Sequence, residues 1–424
     1  MTMPKIFEPL RIRDFALLWT GMTVSMLGDG IYLVAIAWQV YELSNTPTAL
    51  SLVGVAWTVP LVVFVLLGGV VSDRFDRRKV MIGADLVRAV AIGVLAALSI
   101  AGALELWHVL VLVGLYGAGE AFFGPAFAAI VPDLVPKDGL VGANSLNQLM
   151  RPLAQRLAGP ALGGLAVATL GAGGAFAVDA GSFLVSAAVL TVMQPRPVRR
   201  GVEPERSVRR DLAEGFRFVR AHTWLWGTLL AASVTLLVFW GPYEVLLPFL
   251  VKNELGGGAD DLGLVFAAGG VGAIVASLAV SQRGFPRRHM TFMYATWSLG
   301  GLVIAGYGVA TALWQAMAVS FLEGALFAAG MIVWGTLIHR LVPASLLGRV
   351  EGFDWLVSVS LVPVSFALTG PVAGAIGTRE TLIGAGIVGA VGTFVFLYLP
   401  GMRDTERDEE FTLSLRISRS NRMH

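Results

Sequence analysis

Residues 69–79 read Gly-Val-Val-Ser-Asp-Arg-Phe-Asp-Arg-Arg-Lys, a short charged turn between two long apolar runs, 50–71 and 80–101. Lipid offers a backbone no water to bond with, so a crossing segment must satisfy its own N–H and C=O groups, and a helix does so locally. Each run is long enough to cross a bilayer as a helix, and the turn carries Arg74, Arg77, Arg78 and Lys79. Basic loops stay on the cytoplasmic side. The stretch is therefore expected to join two membrane helices at the cytoplasmic surface.

The rest of the chain repeats this pattern. Of its 424 residues 56% are hydrophobic and only 14% charged, and the mean hydropathy of +0.73 lies far from that of soluble domains. Twelve apolar runs reach spanning length: 14–41, 49–71, 80–101, 107–131, 140–170, 172–193, 224–251, 262–280, 290–310, 313–339, 347–376 and 381–399. Polar and mixed residues 1–13 precede a first run too long for a signal peptide, so no removable leader is expected and the N-terminus should stay inside. Twelve spans then return the C-terminus to the same side. Placed on that topology, the lysines and arginines of the loops all fall inside except Lys252 and Arg379. The expectation is a multi-pass protein of the cell (inner or plasma) membrane, in contact with lipid, with both termini cytoplasmic.

One long polar segment, 195–222, separates six spans from six. It reads as a cytoplasmic linker with an amphipathic helix near Asp211 to Arg220 lying at the membrane interface. Across it the chain repeats itself. Leu-Val-Pro recurs at an offset of 207 residues, Gly-Pro-x-x-Gly at 211, Arg77-Arg78-Lys79 as Arg287-Arg288-His289 at 210, and Glu42-Leu43 at 212. The expected domains are a six-helix bundle over 1–194, the linker 195–222, a second bundle over 223–400 and a cytoplasmic tail over 401–424. The fold class is all-α, with 12 transmembrane helices in two pseudo-symmetric bundles. In the second half Ala279 and Arg283 stand where Gly69 and Asp73 map, so the first-half turn is the better gate.

The pattern Gly69, Asp73, Arg74, Arg77, Arg78, Lys79 resembles the signature loop between the second and third helices of the major facilitator superfamily, with Asp76 where the family usually has Gly. Leu-Arg-Ile-Arg-Asp-Phe-Ala-Leu-Leu-Trp (10–19), Gly28-Asp29-Gly30, Ala-Phe-Phe-Gly-Pro-Ala (121–126) and Ala-Asn-Ser-Leu-Asn-Gln-Leu (143–149) look like its bacterial branch of macrolide efflux proteins, mycobacterial-type multidrug pumps and the enterobactin exporter. The resemblance covers nearly the whole chain. It implies a secondary active exporter, a drug/proton antiporter working by alternating access on hydrophobic or cationic drug-like small molecules, and functioning as a monomer. An exporter of one metabolite or siderophore, and a non-transporting sensor of the same fold, are the alternatives. Gly159-Pro160-Ala161-Leu162-Gly163-Gly164 resembles the core of the superfamily's antiporter motif, although Leu146 and Gln155 occupy places where the longer motif has glycine. Small residues there let helices approach closely, and Pro160 removes a backbone bond and permits a bend.

Charges inside a membrane are expensive and mark function. Asp29, Glu120, Glu244 and Glu323 lie in spans one, four, seven and ten, which line the cavity in the family this chain resembles. Asp179 in span six is read as structural, and Arg88 as paired with Asp85 near the cytoplasmic face. Arg156 lies deeper in span five, placed to meet an acid across the cavity. These acids outnumber the buried bases, so some are expected to carry protons, as proton coupling requires. Tyr32, Trp240 and Trp334 offer stacking and cation–π surfaces for cargo. Asp73 is expected to latch the cytoplasmic side by docking on Arg349 or the start of span eleven, with Asp133 and Asp138 as ordinary loop acids. Cysteine is absent and the five histidines are scattered, so no metal site, no cofactor and no enzymatic chemistry are expected. No phosphate-binding glycine loop points to ATP, and the basic loops are explained by topology without nucleic acid.

Overall fold

The computed structural model describes residues 5–136, 139–194, 208–343 and 346–406. Lys137 and Asp138, the linker over 195–207 and the tail beyond Glu406 lie outside the described residues. Among the described residues eleven helical stretches are long and apolar enough to cross a membrane. The longest, Gly142–Val192, holds two spans, because Gly171 breaks it with φ 74° and ψ 169°. Only glycine enters that backbone region without strain. The break falls between the two apolar runs of the sequence, so the described residues hold twelve spans.

Spans one to four are Arg13–Leu43, Pro47–Arg74, Arg77–Ile100 and Leu106–Leu134; spans five and six are 140–170 and 172–192. Spans seven to twelve are Thr223–Glu254, Ala259–Arg283, His289–Val309, Leu313–Leu341, Leu347–Ile376 and Thr378–Phe396. Span one packs on five and six, two on four, and three on four and six. The same contacts recur six spans later: seven packs on eleven and twelve, eight on ten, and nine on ten and twelve. The result is two pseudo-symmetric six-helix bundles, the parallel repeat of major facilitator folds.

Two seams join the bundles, span five to eight and span two to eleven, and the six-span shift exchanges them. Both are built on missing side chains. A Cβ at Gly164 would stand 2.7 Å from the Ala259 carbonyl oxygen, one at Gly270 2.6 Å from that of Arg156, and one at Gly370 2.6 Å from Thr48 Cα. Backbone cannot yield to such contacts, so glycine sets the helix separation. Away from the basic loops polar bonds also join the ends of spans one and seven: Tyr41 Oη donates to the Val245 carbonyl at 2.6 Å, and Asn45 Nδ2 to Asn253 Oδ1 at 2.6 Å.

The linker forms a helix over Val208–Ala221, spanning the expected amphipathic stretch. It docks on the start of span eleven, where Arg349 Nη1 donates to Glu214 Oε2 at 2.8 Å and Phe216 meets the Phe353 ring at 6.2 Å. Its apolar stripe thus has a protein partner, although Phe216 stays half-exposed.

Candidate functional site

A cavity of about 220 Å³ lies between the bundles. From the first half Arg151, Gln155 and Arg156 line it, and from the second Tyr243, Glu244 and Glu323. Two local distortions aim these groups. Residues Pro152–Ala158 of span five and Pro242–Leu246 of span seven are π-helical, each opening on a proline that cannot donate the regular helical bond. Such bulges rotate the side chains that follow, and they concentrate at functional sites. Gln155 and Arg156 stand in one, Tyr243 and Glu244 in the other. Arg156 is exposed to the cavity and lies within electrostatic range of Tyr243, Glu244 and Glu323, while Glu323 is 5% exposed.

Asp29 and Glu120 do not line this cavity. They belong to a second polar group inside the first bundle, where Tyr116 Oη donates to Asp29 Oδ1 at 2.9 Å and Trp57 Nε1 to Glu120 Oε2 at 2.8 Å. Arg88 joins them. It forms an ion pair with Asp85, as the spacing implies, but it is 3% exposed, twelve residues into span three, and its guanidinium sits 4.4–4.5 Å from the Phe183 and Phe123 ring centres. It is a central charge of the bundle rather than one near the basic face. Asp179, 3.3 Å from Ser182 Oγ, is fully buried in the same group. Gln155 Nε2, 3.5 Å from Asp29 Oδ2, connects the two polar groups.

The aromatic residues separate in the same way. Tyr32 is buried in the first bundle, stacked on Tyr116 at 5.0 Å, and faces neither cavity. Trp240 packs edge-on to Phe239 and lines neither cavity. Trp334 lines a second cavity of about 440 Å³ in the other bundle, nearer the basic loops. The physical reason is helical rotation: one span of a bundle presents its faces to lipid, to its own bundle and to the cavity, and residue type alone does not say which.

At the signature turn, Arg77 pairs with Asp133 and donates to the Ala129 carbonyl at 2.9 Å, and Arg78 donates to the Met193 carbonyl. Both arginines tie span three to neighbours of its own bundle, and Asp133 is a structural partner rather than an ordinary loop acid. Asp76 caps span three, accepting from the Arg78 N–H at 3.0 Å with φ −59°, so the turn needs no glycine there. Lys79, Arg74 and Asp73 are exposed, and Gly69 has open space around it. The expected latch is not engaged here, since Arg349 is held by Glu214. In the antiporter-type motif, a Cβ at Gly159 would stand 2.6 Å from Gly30 Cα, and one at Gly163 2.9 Å from Ile31 Cα. Gly159, Pro160, Gly163 and Gly164 thus pack span five on span one and on span eight.

Trp57, Tyr116 and the polar role of Gln155 escaped sequence reasoning, as did the depth of Arg88 and Asp354, which receives the Trp334 indole N–H at 3.0 Å. A count of depth along the spans would have flagged Arg88 and Asp354; nothing local marks the others.

Over 417 residues the chain is 28% identical to the multidrug efflux pump Tap of Mycolicibacterium fortuitum, covering 94% of this chain and 97% of that one. It is 24% identical to macrolide efflux protein A of Streptococcus pyogenes, covering 88% and 92%. Among solved structures it is similar to the nucleoside transporter NupG, with a TM-score of 0.67 at 11% identity over 91% of this chain and 98% of that one. A bacterial homologue of the iron transporter ferroportin in its inward-facing state gives 0.66 at 16% identity over 91% and 99%. At such identities the structural likeness speaks for the fold. The family model described as transmembrane secretion effector matches residues 5–415, and the chain belongs to that family of the major facilitator superfamily.

Proposed function

We propose that the protein is a secondary active exporter of hydrophobic or amphiphilic small molecules, exchanging them for protons by alternating access. It acts as a monomer in the cell membrane with the basic loops and both termini cytoplasmic. Residues 1–194 and 223–400 are the two moving bodies, 195–222 is the linker, and 401–424 a cytoplasmic tail. Export is supported by the relatives named multidrug and macrolide efflux pumps. Proton coupling is supported by one charge arrangement: Arg156 of one half facing Glu244 and Glu323 of the other across the central cavity.

With Glu323 ionised, Arg156 holds the halves together at mid-membrane. A proton on Glu323 removes that attraction, and the seam gains freedom to reopen. Intramembrane polar contacts are worth about 0.6–1.7 kcal/mol each, small enough for a cycle to make and break. Asp29 and Glu120, linked to the cavity through Gln155, provide a second proton-holding group. Asp73 engages the opposite half only after the cytoplasmic side closes.

Accumulation of a panel of lipophilic cations and macrolides in cells overproducing the protein tests this, with and without an uncoupler. Lowered accumulation that the uncoupler restores is the expected result. Unchanged accumulation across the panel, with the protein shown in the membrane, would leave a dedicated metabolite exporter or a non-transporting relative.

A further inference from the structure

The 440 Å³ cavity in the second bundle is the larger of the two described, and the central site does not include it. Spans seven, nine, ten, eleven and twelve all contribute to it. Its walls carry four aromatic rings, Trp297, Phe327, Trp334 and Trp355. Among the described residues its charged lining is Glu351 and Asp354, with His339 the one basic group and neither lysine nor arginine. Asp354 is fixed in place by Trp334 Nε1 at 3.0 Å and Ser358 Oγ at 3.4 Å, and Glu351 lies 3.8 Å from His339 Nε2. A carboxylate within a membrane span is costly to keep, and aromatic faces beside it favour a cation poor in hydration. By contrast the central cavity carries Arg151 and Arg156 against its two glutamates, which gives it no net preference for positive charge. Phe327 and Met331 line both cavities, and Met331 is 48% exposed. They form a shared wall between the two, and methionine's flexible side chain suits a passage.

We infer that this second cavity is a binding site for lipophilic organic cations, anchored on Asp354 and walled by Trp334 and Trp355. Bound there, a cation stands one side-chain layer from Glu323, so the site is where cargo loads before it reaches the central cavity. As a loading point it rests on the exporter reading above; as a binding site it does not. Its volume suits a drug-sized ligand.

Equilibrium binding of tetraphenylphosphonium to purified protein tests the inference without any transport step, with tetraphenylborate as a probe of the same shape and opposite charge. The wild-type protein is expected to bind the cation and not the anion, and Asp354→Asn to weaken cation binding by about tenfold or more. A second variant leaves the acid untouched: a Cβ at Gly335, which lines the cavity, meets no heavy atom within 4 Å, so Gly335→Leu should fill the site and lower affinity similarly without disturbing helix packing. Equal binding of cation and anion, or wild-type affinity in both Asp354→Asn and Gly335→Leu, overturns the inference. Loss of drug export with Asp354-dependent binding intact overturns the exporter reading alone.

Discussion

Glu323 is 5% exposed in span ten and faces Arg156 from the other bundle. Glutamine keeps its size and polar bonding but takes no proton at the carboxyl. Glu323→Gln is expected to reduce the uncoupler-sensitive part of drug efflux to the background of cells lacking the protein, measured as dye loss from preloaded cells; full efflux in that variant would remove Glu323 from the coupling path. Arg88 presents a different kind of dependence. It is buried against Asp85 and two aromatic rings, and removing one member of a buried pair leaves the other uncompensated. Arg88→Met should cost about 3–5 kcal/mol, seen as a lowered melting temperature of purified protein, and adding Asp85→Asn should recover part of it. Sequence placed these residues in the right spans. It did not say that Asp29 and Glu120 turn into their own bundle while Glu244 and Glu323 turn to the cavity, because that depends on how each helix is rotated by its neighbours.

At the scale of elements, the break at Gly171 and the π-helical turns at Pro152–Ala158 and Pro242–Leu246 shape the membrane region. Alanine at 171 would have to hold φ 74° and ψ 169°, which costs about 1–3 kcal/mol. Gly171→Ala should therefore lower the thermal midpoint while leaving cargo affinity unchanged. Gly163→Leu acts elsewhere: its Cβ would stand 2.9 Å from Ile31 backbone, and overpacking there should destabilise by about 1–3 kcal/mol and force span five from span one. A well-folded, fully active Gly163→Leu protein would show that this approach is not required. The break was legible in the sequence as a gap between two apolar runs. The π turns were not, since Pro152 and Pro242 announce a disturbed hydrogen-bond ladder without fixing how it is repaired.

For the whole molecule, the bonds Tyr41 to Val245 and Asn45 to Asn253 join the two halves between spans one and seven on the face away from the basic loops, while Asp73 on the basic face is exposed. Arg151, Met331, His339 and Glu351, on the basic-loop side of the two cavities, are exposed as well. The cavities thus open toward the basic face, which in the proposed alternating-access cycle is one end state. The chain contains no cysteine, so a pair introduced as Asn45→Cys and Asn253→Cys meets no competing thiol. Oxidation should lock the closed face and stop drug export, and a reductant should restore it. Export that continues with the disulfide shown to be formed would mean that this face need not open during transport.

Taken alone, the sequence determined what local physics determines. Apolar run length and the hydrogen bonding of a backbone in lipid gave twelve spans, the charged turns gave their ends, and the offsets of repeated motifs gave two matching halves. Tertiary structure decided the partners. Arg77 holds Asp133, Arg349 holds Glu214 rather than Asp73, Arg156 meets acids that lie 88 and 167 positions further along the chain, and Asp354 faces an aromatic cavity. A charge in a span must find a counterpart nearby in space, and what is nearby is set by helix rotation and by the conformation the two halves adopt, neither of which is written in the residues beside it.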